Sequence, residues 1–235
     1  MHMPKCTRWI AAALMLALGA VPLAAQSGNA TKNYQVTITN LTGGIVLNTG
    51  APAGQVMSPP AVATHNNHLT PIFMLGHAAS PQLAAVAEEG QTDGLVTLLS
   101  GDPSVMDVEV GSAPILPGAS ASIMVHAAGG FNRISLAGML VTTNDGFYAL
   151  NGVLLPGSGS VTYYSPGYDA GSERDSELCE FIPGPPCGSH NVRDTSGAPG
   201  YVFIHSGIHG VGDLEPAQFD WRNPVAKITI TALGK

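Results

Sequence analysis

Residues 34–39 read Tyr-Gln-Val-Thr-Ile-Thr, with apolar and polar side chains in alternation. This period of two is typical of a β-strand that buries one face. The same alternation returns near the end of the chain in Ala226-Lys-Ile-Thr-Ile-Thr-Ala-Leu233. The sequence therefore predicts a β protein in which strands open and close one domain, residues 33–233.

Between these two segments, further strands alternate with turns rich in glycine and proline. The predicted strands are residues 71–75, 105–110, 121–126, 133–141 and 201–205. Helix signals are few: Ser80 can cap a helix that starts with Pro81 and stops at Gly90, and residues 94–99 suit one or two further turns. This spacing predicts an all-β antiparallel sandwich with long loops and one or two short helices.

The composition excludes several classes of protein. Only 11% of the 235 residues are charged, against about a quarter in an average soluble domain, which argues against a coiled coil or charged disorder. The 29 glycines and 18 prolines follow no three-residue period, so collagen is excluded. A net charge of −7 argues against a nucleic-acid partner, which would need clustered basic residues.

The first 25 residues have the pattern of a secretory signal peptide. Lys5 and Arg8 precede a short apolar core, and small residues follow up to Ala25, where we expect cleavage. The core is shorter than the ~20 residues that a membrane span needs. The mature protein is therefore predicted to be secreted or periplasmic, with no transmembrane segment after cleavage.

Export leaves two cysteines, Cys179 and Cys187, in a proline-rich loop. An oxidising compartment favours a disulfide between them. A zinc or thiol-redox site would be expected to show a C-x-x-C pair or nearby histidines, so the structural bridge is the favoured interpretation.

Acidic residues crowd one short segment of an otherwise weakly charged chain. They are Asp169, Glu173, Asp175, Glu177 and Glu180, with Asp145 as a further candidate in the turn Thr143-Asn-Asp-Gly146. The cluster has two interpretations: a solvated acidic loop, or a site where oxygen ligands hold Ca²⁺ at one end of the sandwich.

Histidines give a rival interpretation. His205 and His209 have the spacing of two zinc ligands on a helix, but Gly207 and Gly210 make a helix improbable there. A secreted metalloenzyme that uses zinc or copper would combine them with His65. No Gly-x-Ser-x-Gly motif occurs, so the sequence offers no anchor for a serine hydrolase.

Several stretches together resemble the spondin domain, named for the amino-terminal region of F-spondin and mindin. The similar segments are residues 139–150, 168–173 and 220–230, and residues 63–65 and 205–214 look like the secreted bacterial members. The resemblance implies a C2-like antiparallel β-sandwich that is not an enzyme, binds calcium in its end loops and serves adhesion. It also implies a secreted module whose partner is an unknown cell-surface or extracellular ligand.

The acidic positions of the spondin motifs correspond here to Asp145, Asp169 and Glu173. The resemblance therefore predicts that these three residues ligate one Ca²⁺. A hairpin-like pairing of residues 133–141 with residues 161–164 is expected to bring Asp145 and Asp169 to the same end of a sheet.

Overall fold

The computed structural model describes residues 1–2, 30–43 and 53–234. Within them the chain forms ten strands, three short α-helices and a single 3-10 turn at Cys179–Phe181. The strands are β1 Lys32–Asn40, β2 Ala61–His65, β3 Val105–Val110, β4 Ser120–Ala127, β5 Arg133–Met139, β6 Gly146–Leu154, β7 Ser160–Ser165, β8 Gly167–Asp169, β9 Phe203–Ile204 and β10 Ala226–Ala232. The helices are α1 Pro81–Glu89, α2 Asp93–Ser100 and α3 Pro216–Phe219.

The strands build two antiparallel sheets that pack face to face. One has the order β4-β1-β10-β7 and the other the order β3-β2-β5-β6-β8-β9. Alternation in β1 buries Val36 and Ile38, which share a core with Ile134 and Tyr148 of the opposite sheet. The predicted all-β sandwich is confirmed.

A second core lies on the outer face of the six-stranded sheet, beneath α1 and α2. Leu83 and Leu95 of these helices pack among the strand residues Ala63, Ala137 and Phe147. Alanine side chains on the strands leave room for the helices to approach closely. The predicted caps of α1 are also confirmed, because the Ser80 hydroxyl accepts a bond from an N–H of the first turn and Gly90 is left-handed.

The predicted strand at residues 71–75 is wrong. Phe73 is buried against the rings of Phe147 and Tyr168, while the Ile72 N–H and the Phe73 carbonyl bond to the side chain of Asn151. The apolar run correctly indicated burial. The backbone of this segment forms hydrogen bonds with the Asn151 side chain instead of with a neighbouring strand.

The pairing of β6 with β8 positions the acidic residues. Asp145 directly precedes β6, Asp169 ends β8, and Gly146 faces Asp169 in the register. The predicted pairing of residues 133–141 with residues 161–164 is wrong, because β5 pairs with β6 whereas β7 joins β10 in the other sheet. Asp145 and Asp169 nevertheless reach the same sheet end.

The disulfide between Cys179 and Cys187 is confirmed, with their Cα atoms 4.7 Å apart. Among the described residues, no helix combines the length and the apolar character needed to cross a membrane. The predicted signal peptide, from position 3 onward, falls outside the described residues.

Candidate metal centre

Asp145 is held inside the turn that joins β5 to β6. The Thr143 hydroxyl closes this turn by accepting the Gly146 N–H at 2.8 Å and donating to the Leu140 carbonyl at 2.7 Å. The Asp145 side chain is fully buried, and its Oδ2 accepts the N–H groups of Ser172 at 2.7 Å and Glu173 at 2.9 Å. Its Oδ1 is buried and has no hydrogen-bond partner among the described residues.

Asp169 shows the same combination of one satisfied and one unsatisfied oxygen. Its Oδ1 accepts the Gly171 N–H at 2.6 Å, while Oδ2 is buried without a partner in the described part of the chain. Gly171 has a φ of 65°, and a Cβ at this position would collide with the backbone of Tyr201. Glycine is therefore required for the turn that folds residues 171–173 back over Asp145.

Asp175 and His205 complete a group with Asp169. One ligand atom from each of these three residues lies within 4.8 Å of the other two. Neither Asp145 nor Glu173 belongs to that group. Asp175 is the most accessible of the three, because about a third of its side chain, 34%, is exposed.

The ring of His205 is held on one side by the backbone and faces Asp175 on the other. Its Nδ1 accepts the Gly207 N–H at 3.0 Å, so the neutral ring carries its proton on Nε2, 3.7 Å from Asp175 Oδ1. Burial lowers the pKa of His205 and keeps the ring neutral. A protonated Nε2 has no lone pair for a metal, and its 3.7 Å distance from Asp175 Oδ1 is too long for a direct hydrogen bond.

Glu173 is buried beside Asp145 but faces a cation of the protein itself. Its Oε1 accepts the Asp194 N–H at 3.1 Å and lies 3.9 Å from Nε of Arg193. The structure thus brings Asp145 and Asp169 together and directs one oxygen of Glu173 elsewhere. A ligand role for Glu173 stays a prediction.

Burial and mutual repulsion disfavour the charged forms of these acids. Burial first, and then the charge of Asp175, raises the pKa of Asp145 to about 7. Burial followed by the charges of Asp145 and Asp175 raises the pKa of Asp169 to about 10. Burial and the nearby Glu88 raise the pKa of Glu173 to about 8. A divalent cation among these groups would favour their ionised forms.

Glu177 of the acidic segment has a structural role. Its carboxylate accepts three backbone N–H groups, from His209 at 2.6 Å, Gly210 at 2.7 Å and Val211 at 2.9 Å. These bonds fix the backbone of residues 209–211 and occupy both carboxylate oxygens of Glu177. Sequence spacing could not separate this residue from Asp175, because only the fold determines which backbone amides each carboxylate meets.

The three histidines of the metalloenzyme hypothesis do not appear as one ligand group. The group described above includes His205 alone among them. His209 is exposed beside Glu177, and both ring nitrogens of His65 are hydrogen-bonded, to the Asn66 carbonyl at 2.7 Å and the Ser135 hydroxyl at 2.9 Å.

His65 gives a pH-dependent prediction. Burial lowers its pKa, so its contribution to stability is complete above the unfolded pKa of about 6.5 and is lost as the pH falls through the folded value. We expect the difference in unfolding free energy between wild type and His65→Gln to shrink from about pH 8 to about pH 5 in urea titrations. A difference that is constant over this range would contradict the prediction.

No protein-family model matches this chain, and no curated protein compared with it gives a match.

Proposed function

We propose that this chain is an exported, calcium-binding β-sandwich that acts as a binding or adhesion module. One Ca²⁺ is held where Asp145 and Asp169 meet. The proposal depends above all on one observation: Asp145 Oδ1 and Asp169 Oδ2 are buried without a hydrogen-bond partner among the described residues. Leaving such oxygens unpaired is costly, and a cation bound between them removes that cost.

The chemistry of the cluster favours calcium over zinc or copper. Ca²⁺ takes six to eight oxygen ligands in flexible geometry, whereas zinc and copper prefer imidazole and thiolate. Asp175 adds a further carboxylate, since one of its ligand atoms lies within 4.8 Å of one from Asp169. Cys179 and Cys187 are joined in the disulfide. Carbonyl oxygens, water and Glu173 would supply the remaining ligands.

Calcium at this position would order the loop that follows β8. Residues 169–177 supply Asp169, Glu173 and Asp175, and the same loop donates two backbone N–H groups to Asp145. A bound divalent ion offsets the repulsion of these acids, so the loop presents a fixed surface to a partner. The partner we propose is a cell-surface or extracellular ligand, in keeping with the spondin-like motifs and the predicted export.

The identity of the bound metal tests this proposal against the metalloenzyme alternative. We expect elemental analysis of mature protein, purified without chelator or added metal, to show about one calcium per chain. The control is Asp169→Asn prepared in parallel, which we expect to carry none. Stoichiometric zinc or copper would contradict the proposal and favour a histidine-dependent enzyme.

A further inference from the structure

A different polar cluster joins β2 to β5 on the face of the six-stranded sheet that α1 and α2 cover. The hydroxyl of Ser135 lies 2.9 Å from Nε2 of His65, and Nδ1 of His65 lies 2.7 Å from the Asn66 carbonyl oxygen. A carbonyl only accepts, so Nδ1 carries the proton and Nε2 keeps its lone pair. Ser135 therefore donates to a neutral imidazole, and the imidazole donates to a carbonyl. This arrangement of nucleophile, base and orienting acceptor is the one that activates a serine.

A β-bulge explains how Ser135 acquires a second polar contact. Ile134 pairs with Val153 and Leu136 with Leu150, so two residues of β6 oppose the single Ser135. One of them, Gly152, has a φ of 63°, and its N–H donates to the Ser135 hydroxyl at 2.8 Å. This N–H is placed to stabilise negative charge on the oxygen as its proton leaves.

The pair lies at the wall of a cleft with a volume of about 210 Å³. Arg133 lines the same cleft, and its Nη1 donates to the Gly152 carbonyl at 2.7 Å, which ties the guanidinium to the residue whose N–H bonds to Ser135. Burial and the charge of Arg133 both lower the pKa of His65, so the base is neutral at neutral pH. The cleft thus combines a serine, a base and a fixed positive charge.

We propose that this cleft is a serine-dependent site for small carboxylic esters. The Ser135 oxygen attacks the ester carbonyl carbon while its proton passes to Nε2 of His65. The carbon–oxygen bond to the alcohol then breaks, and the alcohol leaves with that proton. Water attacks the acyl-serine, again giving a proton to His65, and releases the carboxylic acid as the proton returns to Ser135. Arg133 stabilises the oxyanion in both steps.

The direct test is covalent labelling of the folded wild-type protein with an alkyl fluorophosphonate. Attack by Ser135 forms an oxygen–phosphorus bond and expels fluoride. We expect peptide mass spectrometry to find the adduct on Ser135 and none on Ser165. That serine is an internal control, because it is equally buried and accepts an N–H from Ala149 but donates to a carbonyl instead of a histidine.

Two variants, His65→Gln and Ser135→Ala, separate catalysis from a structural role, and Ser165→Ala is their control. We expect His65→Gln to slow labelling by roughly a hundredfold or more, because a general base contributes on that scale. Ser135→Ala should abolish hydrolysis of 4-nitrophenyl acetate, whereas Ser165→Ala should retain it, with circular dichroism confirming that each is folded.

The wild-type protein alone can overturn this proposal. An unlabelled Ser135 after prolonged exposure to the probe, or equal labelling of Ser135 and Ser165, would show that the pair only satisfies buried polar groups. We expect labelling at the same rate in calcium and in EDTA. Failure of the serine proposal is therefore distinguishable from failure of the calcium proposal.

Discussion

The melting temperature of the protein is expected to rise by roughly 5–11 °C between EDTA and a free calcium concentration one hundred times the dissociation constant. Binding to the folded state alone stabilises it by about 2.7 kcal/mol under that condition. Each kcal/mol is worth about 2–4 °C for a domain of this size. The gain arises because the ion pairs with the unsatisfied oxygens of Asp145 and Asp169.

Asp169→Asn separates this effect from nonspecific ion binding. We expect the variant to melt at the same temperature in both buffers, since the amide has no negative charge with which to attract the divalent ion. In EDTA it should melt at about the wild-type temperature, because burial raises the pKa of Asp169 to about 10 and the carboxyl is already neutral without the ion. Asp93→Asn, at the exposed start of α2, should keep the full calcium shift. A wild-type melting temperature that is equal in both buffers would contradict the site.

Trp221→Ala is expected to cost about 3–5 kcal/mol in unfolding free energy, the range for truncating a buried aromatic side chain. Trp221 is only 6% exposed, and its ring packs 4.9 Å from that of His205. The substitution leaves a cavity in the main core and removes the ring that packs against His205, a residue of the group with Asp169 and Asp175. Urea unfolding measures the loss, and we also expect weaker calcium binding.

Tyr164→Ala is the matched control for the loss of an aromatic ring. Tyr164 is 58% exposed on β7, so its removal leaves no cavity. We expect a change within about 0.5 kcal/mol, as for most surface substitutions. If Trp221→Ala cost no more than Tyr164→Ala, the packing described here around His205 would be wrong.

The sequence predicted those elements whose two faces differ. β1, β4 and β10 each bury one face, and their alternation is visible without a structure. By contrast, all five residues of β2 are buried, because helices cover the sheet on one side and the other sheet covers it on the opposite side. Burial on both faces removes the alternation, so β2 and most of β6 gave no periodic signal.

The candidate metal centre was predicted in part because acids near turn residues are visible in a sequence. β8, which ends at Asp169 and pairs with β6 beside Asp145, is only three residues long, too short to show an alternating pattern. The orientation of each carboxylate was not predictable, since it depends on which backbone amides the fold presents. The same limit applies to Ser135 and His65, which are 70 positions apart and meet beside a bulge.

The most direct test of the calcium site is a calorimetric titration of chelator-treated protein with calcium chloride. We predict one binding event per chain in wild type and in Asp93→Asn, and none in Asp145→Asn or Asp169→Asn. Glu173→Gln should weaken binding less than either, because one of its oxygens already faces Arg193. Two results would contradict the account. One is the absence of binding heat in wild type together with an unchanged melting temperature, and the other is undiminished binding in both the Asp145→Asn and Asp169→Asn variants.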